Sequence, residues 1–267
     1  MTLTRRGTPA ATRPSARQRW RPFAAALVLA PTLAAPLRAQ AAVAPDAERL
    51  LKSSLAYVGQ LSTFGLGART ALEVVLTSGQ KIQLGGTLDA VVQRPDRMRV
   101  RRATGLDEQT YVYDGRSLAL WSPVRNEYAS LAAPDTIDKM LDFARERLGI
   151  VAPASDLIGA DAFTVMMDGV TDGFVVGKSL VEGVRCDHLA FRAPQVDWQI
   201  WIEEGSRPLP RKLVITTRDL ANEPQFEVVI TKWELRPRID RRTFEFVAPK
   251  GAQKVELALR EPAAPAK

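Results

Sequence analysis

The sequence is poor in the residues that most often build disulfides and metal sites. In 267 residues it has one cysteine, Cys186, and one histidine, His188. A disulfide within the chain needs two cysteines, so the fold must be held together by its apolar core. A zinc site needs three or four ligands, more than this pair supplies without carboxylates from elsewhere. We therefore expect neither a metal nor a cofactor.

The sequence also lacks an unbroken apolar run long enough to span a bilayer. Its longest apolar run, residues 22–37, is interrupted by Pro31 and Pro36 and is shorter than the roughly 20 residues that a spanning helix needs. A basic segment precedes this run and small residues follow it, which is typical of an export signal. We expect a Sec-type signal peptide over residues 1–39, cleaved after Ala39 or Ala41, and a periplasmic protein without an integral membrane span. An uncleaved N-terminal anchor is the alternative.

The positive charge of the chain lies in this leader. The whole sequence has 37 Lys plus Arg and 30 Asp plus Glu, and residues 1–39 hold seven Arg and no acid. The remaining chain therefore carries 30 of each sign (37 minus 7 against 30). Its charge gives no reason to expect a nucleic-acid partner.

Alternating apolar residues dominate the rest of the chain and predict β-strands. The pair Asp114-Gly115 between two such runs is a strong hairpin signal. Helical spacing appears only at residues 47–61, 135–148 and 155–167. The sequence thus predicts a mainly β (α+β) fold with about eleven antiparallel strands. A sheet of that size must curl, and two or three helices would cover one face. We expect a single domain over residues 40–257 and a disordered tail over 258–267.

No motif in the sequence identifies catalytic chemistry. Cys186 and His188 share one face of a strand, and we interpret them as structural residues that face the barrel interior. The segment 173–179 resembles a phosphate-binding loop, but three residues separate its glycines where four are needed. Arg97, Arg99 and Arg101 share one strand face, expected to be a solvated outer face, with an anionic headgroup or acidic partner as the alternative.

Apolar side chains provide the remaining candidates. A curled sheet with apolar helices across its mouth could enclose a cavity, although an ordinary filled core fits the same pattern. Methionines suit an adaptable apolar surface. The candidate ligand-binding residues are Met140, Phe143, Leu157, Phe163, Met166 and Met167 on the helices, with Trp198 and Ile200 on a strand.

Several segments resemble known families. The run YVYDGRSLALWSPVRNEYASL, preceded by RPDRMRV, resembles the central hairpins of periplasmic lipoprotein carriers of the LolA/LolB type. The segments GVRCDHLAFR, DWQIWIEEGSRPLPRKLVIT and IDRRTFEFVAPKGAQKVEL are similar to a family of predicted periplasmic proteins of unknown function with the same fold. This second resemblance covers residues 45–257.

The resemblance implies a half-open, eleven-stranded barrel with a helical lid over an apolar cavity, which the carriers use for acyl chains. The chain departs from the carriers in its longer second half, and no carrier ligand residue maps onto it, so lipoprotein transport does not follow. We expect a non-enzymatic protein that binds a lipid, an acyl chain or another apolar ligand. The alternatives are an envelope-stress sensing module that binds an envelope protein, and a hydrolase using His188.

Overall fold

The computed structural model describes residues 43–260. The helices are α1 (Pro45–Gly59), α2 (Ile137–Leu148) and α3 (Ala162–Met167), with a 3-10 helix at Ser155–Ile158. The strands of the first half are β1 (Thr63–Val75), β2 (Lys81–Gln93), β3 (Arg97–Thr104), β4 (Glu108–Tyr113), β5 (Ser117–Ser122) and β6 (Glu127–Ala132). Those of the second half are β7 (Asp172–Val181), β8 (Val184–Arg192), β9 (Val196–Glu203), β10 (Pro210–Thr217), β11 (Gln225–Glu234) and β12 (Gln253–Lys254). The expected signal peptide lies outside the described residues.

All twelve strands form one open sheet. Their order is β12-β6-β5-β4-β3-β2-β1-β11-β10-β9-β8-β7, so β12 and β7 are its two edges. Every pairing is antiparallel except that of the two-residue strand β12 with β6. The predicted fold class is confirmed, with β12 as a short addition to the eleven expected strands. The strand order joins the two halves through the pairing of β1 with β11.

The three helices pack on one face of the sheet, which we call the helical face; the opposite side is the outer face. One buried cluster joins α1, the 3-10 helix and α3 to strands β8–β11. A second cluster joins α2 to strands β1–β5. Leu66 and Trp233 pack against both clusters, so the two groups of helices share one continuous apolar layer.

Local sequence signals account for the helix ends. Thr136 accepts a hydrogen bond from the Lys139 N–H at the start of α2, and Gly149 ends this helix with a φ of 65°. The helix predicted over residues 155–167 is instead divided, because Gly159 is extended between the 3-10 helix and α3. Asp138 accepts a hydrogen bond from the Ala160 N–H at 3.0 Å, which satisfies the backbone where the helix is interrupted.

The predicted hairpin at Asp114-Gly115 connects β4 to β5. Gly115 has a φ of 89°, and the Asp114 carboxylate accepts hydrogen bonds from the Arg116 and Ser117 N–H groups. Beyond β12 the chain stays attached, since the Arg260 N–H donates to the Arg147 carbonyl at 2.7 Å. Of the tail expected at 258–267, residues 258–260 thus lie at the end of α2, and the remainder lies outside the described residues.

Within residues 43–260, no helix combines the length and apolar character required to cross a membrane.

Candidate apolar ligand site

A cleft opens on the helical face between α3 and the hairpin β9–β10. Its volume is about 160 Å³. The 3-10 helix contributes Leu157 and α3 contributes Met166, while the sheet contributes Trp198, Leu213 and Ile215. These strand residues point the same way because Trp198 pairs directly with Ile215 across the ladder. The cleft is therefore lined by apolar side chains on both its helical and its sheet sides.

An apolar row continues from this cleft across the sheet. Ile215 pairs with Phe226, Phe226 with Leu72, and Leu72 with Leu84, so all four lie on the helical face with Trp198. We call the five residues from Trp198 to Leu84 the apolar row. Trp198 is only 5% exposed, whereas Leu72 is 44% exposed. The helices thus cover one end of the row and leave the other end open.

The sizes of the cleft and of the row decide what could bind. A cavity near 150 Å³ holds about one benzene molecule, and ligand pockets usually measure about 300–1,000 Å³. The cleft of about 160 Å³ is too small for a lipid on its own. The apolar row crosses four strand spacings, or about 19 Å. An elongated apolar ligand would therefore need the row as well as the cleft.

Two carboxylates lie at the rim of the cleft. Asp156 and Asp168 line it beside the apolar residues. Burial raises the pKa of Asp156, although its ion pair with Arg145 at 3.1 Å opposes this. The cleft therefore combines an apolar wall with a polar rim, the usual composition of a small-molecule site.

The structure separates the eight candidate residues. Six of them belong to the cluster under α1 and α3: Leu157, Phe163, Met166, Met167, Trp198 and Ile200. Three of these, Leu157, Met166 and Trp198, line the cleft. Met140 is buried in the other cluster under α2, and Phe143 is half-buried on the same helix. The two residues on α2 are thus apart from the cleft.

Sequence reasoning missed most of the apolar row. Leu72, Leu84, Ile215 and Phe226 lie near strand ends, where they read as ordinary alternating strand residues. Their alignment arises from the pairing of β1 with β11, which joins distant parts of the chain. A weak signal was available, because Val74, Leu76 and Ile82 continue the apolar alternation into the turn after β1.

Cys186 and His188 lie on the outer face, not towards the interior as expected. In β8 they alternate with Leu189 and Phe191, which pack under the helices. A period of two places Cys186 and His188 together but does not say which face they occupy. Burial raises the pKa of the Cys186 thiol to about 11.

His188 is held by its neighbours on the outer face. Its ring stacks on Trp201 with centroids 4.0 Å apart, and its Nε2 lies 2.9 Å from the Gln199 Oε1. Burial is the main cause that lowers the pKa of His188, and Lys212 lowers it further against the opposing Gln199 hydrogen bond. Among residues 43–260, no three His, Cys, Asp or Glu side chains are grouped to hold a metal ion.

The other two motifs have structural explanations. The segment 173–179 lies within strand β7, whereas a phosphate-binding loop must open a helix. Arg97, Arg99 and Arg101 project from the outer face as expected, since Met98 and Val100 between them pack under α2. Arg101 forms two hydrogen bonds with the Glu108 carboxylate, at 2.8 and 2.9 Å.

Similar solved structures share little sequence with this chain. LprF from Mycobacterium bovis is 12% identical over 74% of this chain and 97% of its own, with a TM-score of 0.47. A putative outer membrane lipoprotein-sorting protein domain from Vibrio parahaemolyticus is 8% identical over 74% of this chain and 96% of its own, with a TM-score of 0.36. A chain of the Pseudomonas aeruginosa MucA/MucB complex is 14% identical over 76% of this chain and 62% of its own, with a TM-score of 0.40. No curated protein matches the sequence.

A family match covers nearly all of the described chain. The family model aligns with residues 47–258, from the first turn of α1 to the segment after β12. This range includes the cleft and the whole apolar row. The expectation of a periplasmic protein is confirmed by this match. The chain belongs to the family described as "Predicted periplasmic protein (DUF2092)".

Proposed function

We propose that the protein is a non-enzymatic periplasmic protein that binds a lipid or another elongated apolar ligand in the cleft and along the apolar row. One observation carries the proposal. The row is apolar along its whole length, yet the exposed fraction of its side chains rises from 5% at Trp198 to 44% at Leu72. Apolar side chains at the open end of a sheet face cost solvation free energy unless something covers them. An apolar ligand would supply that cover.

The segment above the cleft is suited to move aside for such a ligand. Helix α3 has six residues, and the extended Gly159 separates it from the 3-10 helix. Short helices gain little stability from their own hydrogen bonds and depend on packing. Met166 and Met167 provide flexible side chains that can repack against a guest. Displacement of α3 would enlarge the cleft towards the usual size of a ligand pocket.

A matched pair of substitutions tests the proposal. Leu72→Gln places a polar group in the open end of the row, while Leu180→Gln makes the same change on β7, outside the row. Leu180 is 68% exposed and Leu72 44%, so neither change should prevent folding. We expect Leu72→Gln to weaken binding of a fluorescent fatty-acyl probe about three- to tenfold, as the loss of one apolar contact of ~1 kcal/mol requires. Leu180→Gln should bind as the wild type does.

Native mass spectrometry of protein purified from a periplasm provides an independent measurement. The proposal predicts a bound apolar molecule that dissociates on unfolding. If no such molecule is present and the wild type binds no acyl probe, the proposed function is wrong.

A protein partner is the second candidate, and the edge strand β7 favours it. Phe174, Val176 and Leu180 are exposed large apolar residues on this edge. Sheet edges offer unpaired backbone groups to which an extended segment can bind. A pulldown from envelope extract with wild type and Phe174→Ser tests this candidate. Recovery of one partner by the wild type alone, together with an empty cleft, would favour it over ligand binding.

A further inference from the structure

One cation lies on the helical face beside the apolar row. In β3, Met98 and Val100 pack under α2, and the period of two places Arg102 on the same face. Arg102 pairs across the sheet with Leu88 on one side and Gln109 on the other. Its side chain is exposed, so neither group of helices covers it. The guanidinium therefore lies on the open part of the face that carries the apolar row.

Arg102 has no acidic partner among residues 43–260. Its one hydrogen bond there goes from Nη2 to the Gln109 Oε1 at 3.0 Å. The neighbouring Arg101 differs, because Glu108 neutralises it with two hydrogen bonds on the outer face. A guanidinium has five N–H donors in a planar fork. Most of those on Arg102 remain available to a ligand.

The residues beside Arg102 hold the amide that it contacts. Gln109 Oε1 also accepts a hydrogen bond from the Tyr111 hydroxyl at 2.5 Å, and Gln109 Nε2 donates to the Asp107 carboxylate at 2.9 Å. Both ends of the amide are thereby fixed, and its oxygen faces Arg102. Such a support reduces the freedom that the Arg102 side chain would lose when it binds an anion.

The distance from Arg102 to the apolar row suits one amphiphilic molecule. Leu88, the neighbour of Arg102, lies four residues from Leu84 on the same strand, which is about 14 Å. Arg102 is level with Ala68 on β1, so Leu72 lies two strand spacings (about 10 Å) across the sheet and four residues (about 14 Å) along it from Arg102, or about 17 Å away. Leu88 is packed against the first cluster, and only Gly86 and its cross-strand partner Thr70 lie on this face between Leu88 and the row. The path between the cation and the row therefore carries no charged side chain.

We propose that Arg102 binds the anionic headgroup, a carboxylate or a phosphate, of an amphiphile whose tail lies along the apolar row. The inference rests on the proposed function and specifies its ligand class. Arginine matches both headgroups because its planar fork can donate two parallel hydrogen bonds to a carboxylate or a phosphate. The headgroup would stay at the open surface, where desolvation costs little, while the tail covers the row.

Four probes with the full mature chain test this assignment. Hexadecanoate, hexadecyl phosphate and hexadecanol share one tail and differ in headgroup; inorganic phosphate supplies the anion without a tail. Each is titrated below its micelle-forming concentration into wild type, Arg102→Gln and the control Arg101→Gln. Arg101 is the adjacent residue on the opposite face, so its replacement changes the same net charge without touching the helical face.

The expected result is a headgroup preference that depends on Arg102. Wild type and Arg101→Gln should bind hexadecanoate and hexadecyl phosphate about tenfold tighter than hexadecanol, in keeping with a hydrogen bond to a charged group. Arg102→Gln should bind all three tailed probes with the affinity of the alcohol. Added salt should weaken binding of the two anions to wild type and leave the alcohol unchanged.

Other outcomes would overturn the inference in distinguishable ways. If wild type binds hexadecanol as tightly as hexadecanoate, or if Arg102→Gln keeps the preference, Arg102 is a solvated surface residue and the proposed function stands alone. If inorganic phosphate binds as tightly as hexadecyl phosphate, the site takes a free anion and not a lipid headgroup. If no tailed probe binds wild type, the proposed function fails and this inference fails with it.

Discussion

At the residue scale, His188 on the outer face should make the stability of the fold depend on pH. It is the only histidine in the sequence, so no other side chain has an ordinary pKa near neutrality. Its ring stacks on Trp201, and the Lys212 ammonium lies 5.1 Å from the centroid of the same indole. Burial and this positive charge both lower the pKa of His188 and outweigh the Gln199 hydrogen bond that raises it.

This lowered pKa predicts a loss of stability on mild acidification. In the unfolded chain, His188 binds a proton as the pH falls through about 6.5, whereas in the folded protein it stays neutral to a lower pH. Because the unfolded state binds more protons in this range, acidification favours unfolding. The urea midpoint of the wild type should therefore fall between pH 7.5 and pH 5.5. His188→Phe keeps an aromatic ring on Trp201 but cannot titrate, so its midpoint should change less over this interval. Equal changes in both proteins would show that His188 does not set the acid response.

At the element scale, Arg94 joins the end of β2 to the helices. Its guanidinium donates to the Leu61 carbonyl after α1 at 3.1 Å and to the Ile158 carbonyl of the 3-10 helix at 2.7 Å. It also lies over the Phe64 ring, 5.8 Å from the centroid. Burial lowers the pKa of Arg94, and Asp138 opposes this through its charge. One side chain thus connects the chain after α1 to the end of the 3-10 helix, in the segment 155–167 beside the cleft.

Replacement of Arg94 should loosen that segment. Arg94→Leu removes both hydrogen bonds and leaves two carbonyls unsatisfied, so we expect the free energy of unfolding to fall by about 2–4 kcal/mol. Amide hydrogen exchange should accelerate most in residues 155–167. Arg97→Leu, a change to an exposed arginine at the start of β3, is the matched control. Uniform acceleration throughout the sheet would contradict a local role for Arg94.

Strands, helices and turns could be predicted from the sequence where a single local residue pattern determines them. The alternation Tyr111, Val112, Tyr113 followed by Asp114-Gly115 determines a strand and its turn without help from the rest of the chain. The helix predicted over 155–167 failed because Gly159 and the hydrogen bond from Ala160 to Asp138 end it, and Asp138 belongs to another helix. The face of Cys186 and the apolar row depend likewise on which strands pair. Such contacts are set by the fold and cannot be derived from spacing.

At the scale of the whole molecule, two apolar clusters share one sheet. The cluster under α1 and α3 includes the cleft, and the cluster under α2 contains Met140. Trp233 connects them, since its ring lies 5.7 Å from that of Phe64 and its Nε1–H donates to the Pro210 carbonyl at 2.8 Å. The antiparallel ladder between β1 and β11 continues this connection within the backbone. We therefore expect residues 43–260 to unfold as one domain.

Trp233→Ala should separate the two halves. Loss of this partly buried indole should lower the free energy of unfolding by about 3 kcal/mol. It also removes one of the two side chains, Leu66 being the other, that pack against both clusters. Cys186 reports on the half that contains the cleft, because its side chain is 0% exposed and its pKa of about 11 keeps the thiol protonated until that half opens. In urea, labelling of Cys186 and far-ultraviolet circular dichroism should give one midpoint in wild type and two in Trp233→Ala. Trp121→Ala, on β5 and away from all three buried clusters, including the one of Cys186 and its neighbours, should lower stability but keep the two midpoints together. Coincident midpoints in Trp233→Ala would place the coupling in the β1–β11 ladder instead of at Trp233.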